Sequence, residues 1–284
     1  MSLFKKYLVF WIISFLNISV LQAEKIVIIG DSLSDDGKFG KTLAQSLSLN
    51  GNTVSSFAVS NSNFKSWTDG DFSCCKVGFH QRSFQNGNID KAHTSNGDQA
   101  PNAWALPNLL KKDSRFCSEP GIPVDRLIVQ QGTNQIKNLS LAQHKDYIEK
   151  IIMQACRENV RNVSFVLPPQ NMDQNMSVVN KAYADIIKEL SDAREMYITE
   201  NCPRGVKVTY FPSADLVPIH QFFVYKSKKT EELVQDKVHF WDLPGETAWF
   251  NALWSWSKRG YPSPIEKTRS RSGPVIASKV KKPH

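Results

Sequence analysis

The sequence has no CxxC pair among its five cysteines, and His80, His93, His144 and His220 have no partners at metal-ligand spacing, so no metal site is expected. No motif for RNA or DNA recognition occurs either, which removes nucleic acid from the expected partners although basic and aromatic residues are both present. After residue 23 no apolar stretch approaches the ~20 residues that a membrane-spanning helix needs. Five cysteines is also an odd number, so at least one thiol is left over or pairs between chains. The adjacent pair Cys74 and Cys75 is expected to bridge to a distant cysteine such as Cys117.

What is present starts with Lys5 and Lys6, an apolar core from Tyr7 to Leu21, and Ala23. This is the layout of a secretory signal peptide over residues 1–23, cleaved after Ala23. An uncleaved anchor is the competing reading, and the shortness of the apolar core argues against it. The expectation is therefore an exported protein, periplasmic or secreted, in which disulfides can persist. About 260 residues follow, enough for one large domain with its own core.

The net charge of +8 is unevenly placed. From Lys258 onward eight Lys or Arg face one acid, Glu266, while the stretch 24–257 is close to neutral. The tail 258–284, rich in Pro, Ser and Lys, reads as disordered and as a means of holding the protein near an anionic envelope surface.

Within 24–257 the run Ile26-Val27-Ile28-Ile29 is short, β-branched and without alternation, as in a parallel strand buried on both faces. Gly30-Asp31 breaks it and presents Ser32 at a turn, after which Phe39, Leu43 and Leu47 return at helical spacing. Further strands are expected at Thr53–Val59, Leu127–Val129, Val163–Leu167 and Val206–Phe211. Helices are expected at Ala100–Lys112, Leu141–Asn159, Val178–Tyr197 and from Pro244, the last carrying Trp249, Leu253 and Trp256. Residues 60–99, rich in Ser, Asn, Gly and Asp, read as a long irregular wall of a substrate cleft, with Trp67 lining it. Strands alternating with helices at this spacing predict a three-layer α/β/α sandwich around a mostly parallel five-stranded sheet. Ligands bind such sheets beyond the carboxyl ends of the strands.

Three polar segments meet that rule: Gly30-Asp31-Ser32-Leu33-Ser34, Gly132-Thr133-Asn134-Gln135, and Asp236-Lys237-Val238-His239. In order and position they resemble the GDSL, GxN and DxxH blocks of the SGNH hydrolase family, and they span almost the whole chain after the leader. The resemblance implies the flavodoxin-like sandwich of that family and a catalytic trio of Ser32, His239 and Asp236, with no cofactor. In chemical terms a serine hydroxyl needs a base to accept its proton, and His239 supplies one. Asp236 fixes the imidazole tautomer and steadies the imidazolium. The resemblance assigns the oxyanion hole to the Ser32 N–H, the Asn134 side chain and the N–H of a glycine in a second block. No glycine occurs between Val59 and Trp67, and Asn61, with Ser60 as the other choice, stands in its place. Asn tolerates positive φ better than most residues, so an altered hole is expected rather than a missing one.

The function implied is hydrolysis of an ester through an acyl-enzyme, with O-acetyl groups on a carbohydrate as the expected substrate and Trp67 and Gln135 as substrate contacts. A polar loop after the second strand and the lack of a long apolar lid favour that choice over a lipid. A lipase or lysophospholipase, an acyltransferase, and an inactive glycan- or envelope-binding protein are the alternatives. Sequons occur at Asn138, Asn162 and Asn175, but Asn162 leads into a buried strand, where a glycan fits poorly, so a bacterial origin is expected.

Overall fold

The computed structural model describes residues 23–35, 39–75, 78–132, 134, 140–167, 174–192, 197–199, 202–213, 224–226, 233–235 and 243–262. The leader before Ala23, the tail after Pro262, and Gln135, Asp236 and His239 lie outside the described residues.

The five strands that the sequence announces are all present: β1 (Lys25–Gly30), β2 (Thr53–Val59), β5 (Arg126–Gln130), β6 (Asn162–Val166) and β8 (Cys202–Phe211). They lie parallel in the order β2-β1-β5-β6-β8. The sheet is nevertheless eight-stranded among the described residues, not five-stranded. The antiparallel hairpin β3 (Gly78–Gln85) and β4 (Asn88–Asn96) extends it beyond β2, and the short β7 (Tyr197–Thr199) pairs antiparallel with β8. A separate ribbon pairs β9 (Val224–Lys226) with β10 (Leu233–Gln235).

Successive side chains of a strand point to opposite faces, so a run such as Ile26–Ile29 must be covered twice. Val27, Ile29, Val129 and Phe165 pack under α3 (Phe64–Asp69), α4 (Leu106–Leu110), α5 (Leu141–Arg157) and α6 (Gln174–Asp192). Ile26, Ile28, Ile128 and Phe211 pack under α2 (Ala44–Leu49) and α7 (Leu243–Lys258), the latter through Trp249, Leu253 and Trp256. This is the three-layer α/β/α arrangement. Each fully buried aliphatic or aromatic side chain contributes roughly 1.5–3 kcal/mol, so Ile26–Ile29 anchor β1 on both faces.

The region 60–99, expected to be irregular, holds α3 and the β3–β4 hairpin. Asn86 and Gly87 take φ of +50° and +77°, the paired positive values of a two-residue hairpin turn. A Cβ on Gly87 would meet only the exposed, movable end of the Leu49 side chain, so it is the positive φ that favours glycine at the tip. Pro107 falls in the first turn of α4, where its missing N–H costs nothing, and only a short 3₁₀ turn, Asn102–Trp104, precedes it.

The cysteine pairing differs from the expected one. Cys156, in the last turn of α5, is bridged to Cys202 at the start of β8 because that helix packs on that strand. Cys74 and Cys75 are bridged to each other, and Cys117 is the free, buried thiol, its Sγ 3.5 Å from the carbonyl of Leu109. The body also extends past residue 257: Tyr261 is buried, with the Arg126 guanidinium 3.8 Å above its ring.

His80, on β3 between Ala58 and Thr94, is buried, and burial together with the nearby Arg82 lowers its pKa from 6.5 to about 4. The neutral form is the one that fits the fold, so its contribution is complete above about 6.5 and is lost as pH falls toward 4. Urea midpoints measured across this window should fall in the wild type and fall less steeply in His80→Gln.

Candidate active site

The carboxyl ends of β2, β1 and β5 are side by side and in register, with Ala58 paired to Gly30 and Gly30 paired to Gln130. Neighbouring strands are ~4.8 Å apart, so the loops that leave these three ends emerge within about 10 Å of one another. Ser32 follows Gly30 by two residues, Asn61 follows Ala58 by three, and Asn134 follows Gln130 by four. The topology therefore gathers these three candidates on one edge.

At the end of β1 the backbone turns into α1 (Ser32–Asp35), with Ser32 half-buried at its first position. Asp31 makes the turn: its carboxylate accepts the Leu33 N–H at 3.0 Å and its carbonyl accepts the Ser34 N–H at 3.0 Å. Asp31 is fully buried and serves as the cap of this turn. Gln130 Oε1 then takes a hydrogen bond from Ser34 Oγ (2.6 Å) and one from the Asp31 N–H (3.3 Å), which ties the turn to β5. Gly30 is required by contact, since a Cβ there would lie 2.1 Å from Ser34 Oγ.

After β2 the chain turns sharply, with the Ser62 N–H donating to the Val59 carbonyl at 3.0 Å. Asn61 is at the exposed apex with φ +65°, the left-handed conformation that glycine adopts freely and asparagine tolerates. Asn63 closes the loop by capping α3 through the Ser66 N–H (3.1 Å).

Ser62 was not among the residues the sequence singled out, yet its hydroxyl links all three strand ends. It donates to the Gly30 carbonyl (3.2 Å) and accepts from Trp67 Nε1 (3.1 Å) and Gln131 Nε2 (3.0 Å). Trp67 is thereby corrected: it is fully buried and packs edge-on against Phe72, so it is a core residue and lines no cleft. An indole amid polar neighbours reads as exposed in sequence, but here its one donor is satisfied internally and its rings complete the core under α3. Gln130 and Gln131, equally buried, carry the same positioning role from β5. A double glutamine ending an apolar strand was the signal for them, because buried amides need partners.

Asn134 follows Gly132, whose φ is +122°, and is half-buried. Its Nδ2 is shielded from solvent and has no hydrogen-bond partner among the described residues, and Gln130 Nε2 and Gln131 Oε1 nearby in sequence share that condition. A buried donor left without a partner costs about 1–3 kcal/mol, a cost that a ligand atom would remove.

Helix α7 connects this edge to the opposite one. Trp249 Nε1 donates to Ser213 Oγ (3.0 Å), just beyond the carboxyl end of β8, whereas Tyr261 lies at the amino end of β5 over Arg126. The helix thus begins on the edge that carries Ser32.

No protein-family model matches the chain, and no curated protein matches it in sequence. Among solved structures, a DUF4886 family protein from Bacteroides uniformis superposes with a TM-score of 0.41 at 13% identity, covering 87% of this chain and 91% of that one. That likeness is too distant to bear on function.

Proposed function

We propose that the protein is an exported serine esterase of the SGNH type that removes O-acetyl groups from a carbohydrate through an acyl-enzyme. The observation that carries this reading is the buried Nδ2 of Asn134, which has no hydrogen-bond partner among the described residues, on the edge that also bears Ser32 and the left-handed Asn61. A donor held ready and unpaired suits an oxygen that becomes negative only in the transition state. Ser32 Oγ attacks the ester carbonyl carbon and its proton passes to His239. The alcohol departs with that proton, and water then releases acetate by the same route reversed. The role of His239 comes from its place in the DxxH block, four residues before Leu243 in the sequence. The polar character of residues 60–63 supports a carbohydrate over a lipid, a preference that no longer draws on Trp67.

Purified protein should hydrolyse p-nitrophenyl acetate in preference to long-chain esters and release acetate from an acetylated polysaccharide. A preference for long acyl chains would overturn the acetyl assignment. Failure of a fluorophosphonate to label Ser32, together with no turnover, would overturn the enzymatic one.

A further inference from the structure

The opposite edge of the sheet, where the parallel strands begin, has a composition that the proposed chemistry does not use. Here Ala23 and Tyr261 line one cavity of about 540 Å³, so both ends of the described chain meet at this edge. The mature chain starts beside the first, and the basic tail follows the second. Between them the edge is rich in cations. Arg161, Arg204 and Lys207 line an adjoining cavity, and Lys258 stands over the half-buried Trp254 ring at 4.8 Å.

The carboxylates of this edge are engaged within the protein. Glu24 is forked by Arg126 (2.9 and 3.0 Å), Asp125 accepts the Lys25 N–H (3.0 Å), Glu119 accepts from Thr53 and Gln85, and Glu158 takes Gln154. Arg161 and Lys207 have no side-chain partner among the described residues, and Arg204 holds only the neutral Asn159 side chain. Two of the large apolar side chains that the protein leaves exposed are at this same edge: Leu49 (66%), the last residue of α2 before β2, and Ile122 (44%), in the loop that leads into β5. No helix among the described residues is long and apolar enough to cross a membrane.

We propose that this amino edge is a docking surface for an anionic phospholipid bilayer, which leaves the Ser32 edge facing away from the lipid. The cations supply attraction to acidic headgroups, Leu49 and Ile122 enter the interface, and the basic tail follows Pro262 on the side the bilayer would occupy. A soluble polyanion would use the charges alone. Exposed apolar residues flanking the cations, with both chain ends beside them, fit a lipid surface better. The inference is independent of the esterase reading.

The test is flotation of the purified mature protein, residues 24–284, with phosphatidylcholine vesicles, with and without phosphatidylglycerol, at low salt. The apolar side chains contribute to both vesicle types, so the difference between them reports charge. Wild type should bind the phosphatidylglycerol vesicles at least about tenfold more tightly, and the triple variant Arg161→Glu, Arg204→Glu, Lys207→Glu should lose most of that preference. Lys279→Gln, Lys281→Gln, Lys282→Gln should lose less. Leu49→Ser with Ile122→Ser should weaken vesicle binding while leaving binding to dextran sulfate unchanged. Unchanged melting of these surface variants separates loss of binding from loss of fold. The proposal is overturned if the edge variant keeps the wild-type preference, if only the tail variant loses it, or if the apolar pair proves irrelevant to vesicles.

Discussion

Ser32→Ala should lower ester hydrolysis by about 10⁴- to 10⁶-fold and abolish fluorophosphonate labelling, with the fold intact. The size follows from the role proposed for the hydroxyl. Without it no acyl-enzyme forms, and only the binding and oxyanion contributions to rate remain. The turn itself should survive, because its hydrogen bonds run through Asp31, Leu33, Ser34 and Gln130 rather than through the Ser32 side chain alone. A thermal melt close to that of wild type, beside a rate near background, is the expected pair of results. Equal rates in the two proteins would remove Ser32 from the mechanism.

Asn134→Ala should lower kcat by about 10²- to 10³-fold with little change in KM, the signature of an interaction made in the transition state. It should do so without destabilising the protein. The Nδ2 it removes is shielded from solvent and makes no hydrogen bond to any other described residue, so its loss breaks no bond of the described fold and the melting temperature should hold. A purely structural asparagine would behave in the opposite way, losing stability and activity together. Kinetics and melts on the same preparation decide between them.

These two substitutions differ in how far the sequence alone could justify them. The strands on which both residues depend were legible because β1, β2, β5, β6 and β8 carry runs rich in β-branched and aromatic residues, as strands covered on both faces do. Helices α5, α6 and α7 were legible through their apolar stripes. The β3–β4 hairpin was not, because its residues are largely polar and only Asn86-Gly87 marks the turn. Trp67 and the cysteines were misread for a common reason. Whether an indole is covered, or which thiol Cys156 meets, depends on how α3 and α5 pack on the sheet, and neighbours in sequence do not carry that information.

At the candidate site, the sequence by itself determined the residue types, their order and the edge on which they had to emerge, because parallel strands of known order deliver their following loops to one side. It also marked Asn61 as the departure from the expected glycine. Only the tertiary structure decided that Asn61 takes the left-handed conformation and that Asn134 holds a buried donor with no partner among the described residues. It alone assigned Ser62, Gln130 and Gln131 to fastening three strand ends together. Backbone angle and hydrogen-bond satisfaction are set by what surrounds a residue in space, and for these five the surroundings come from strands far apart in the chain.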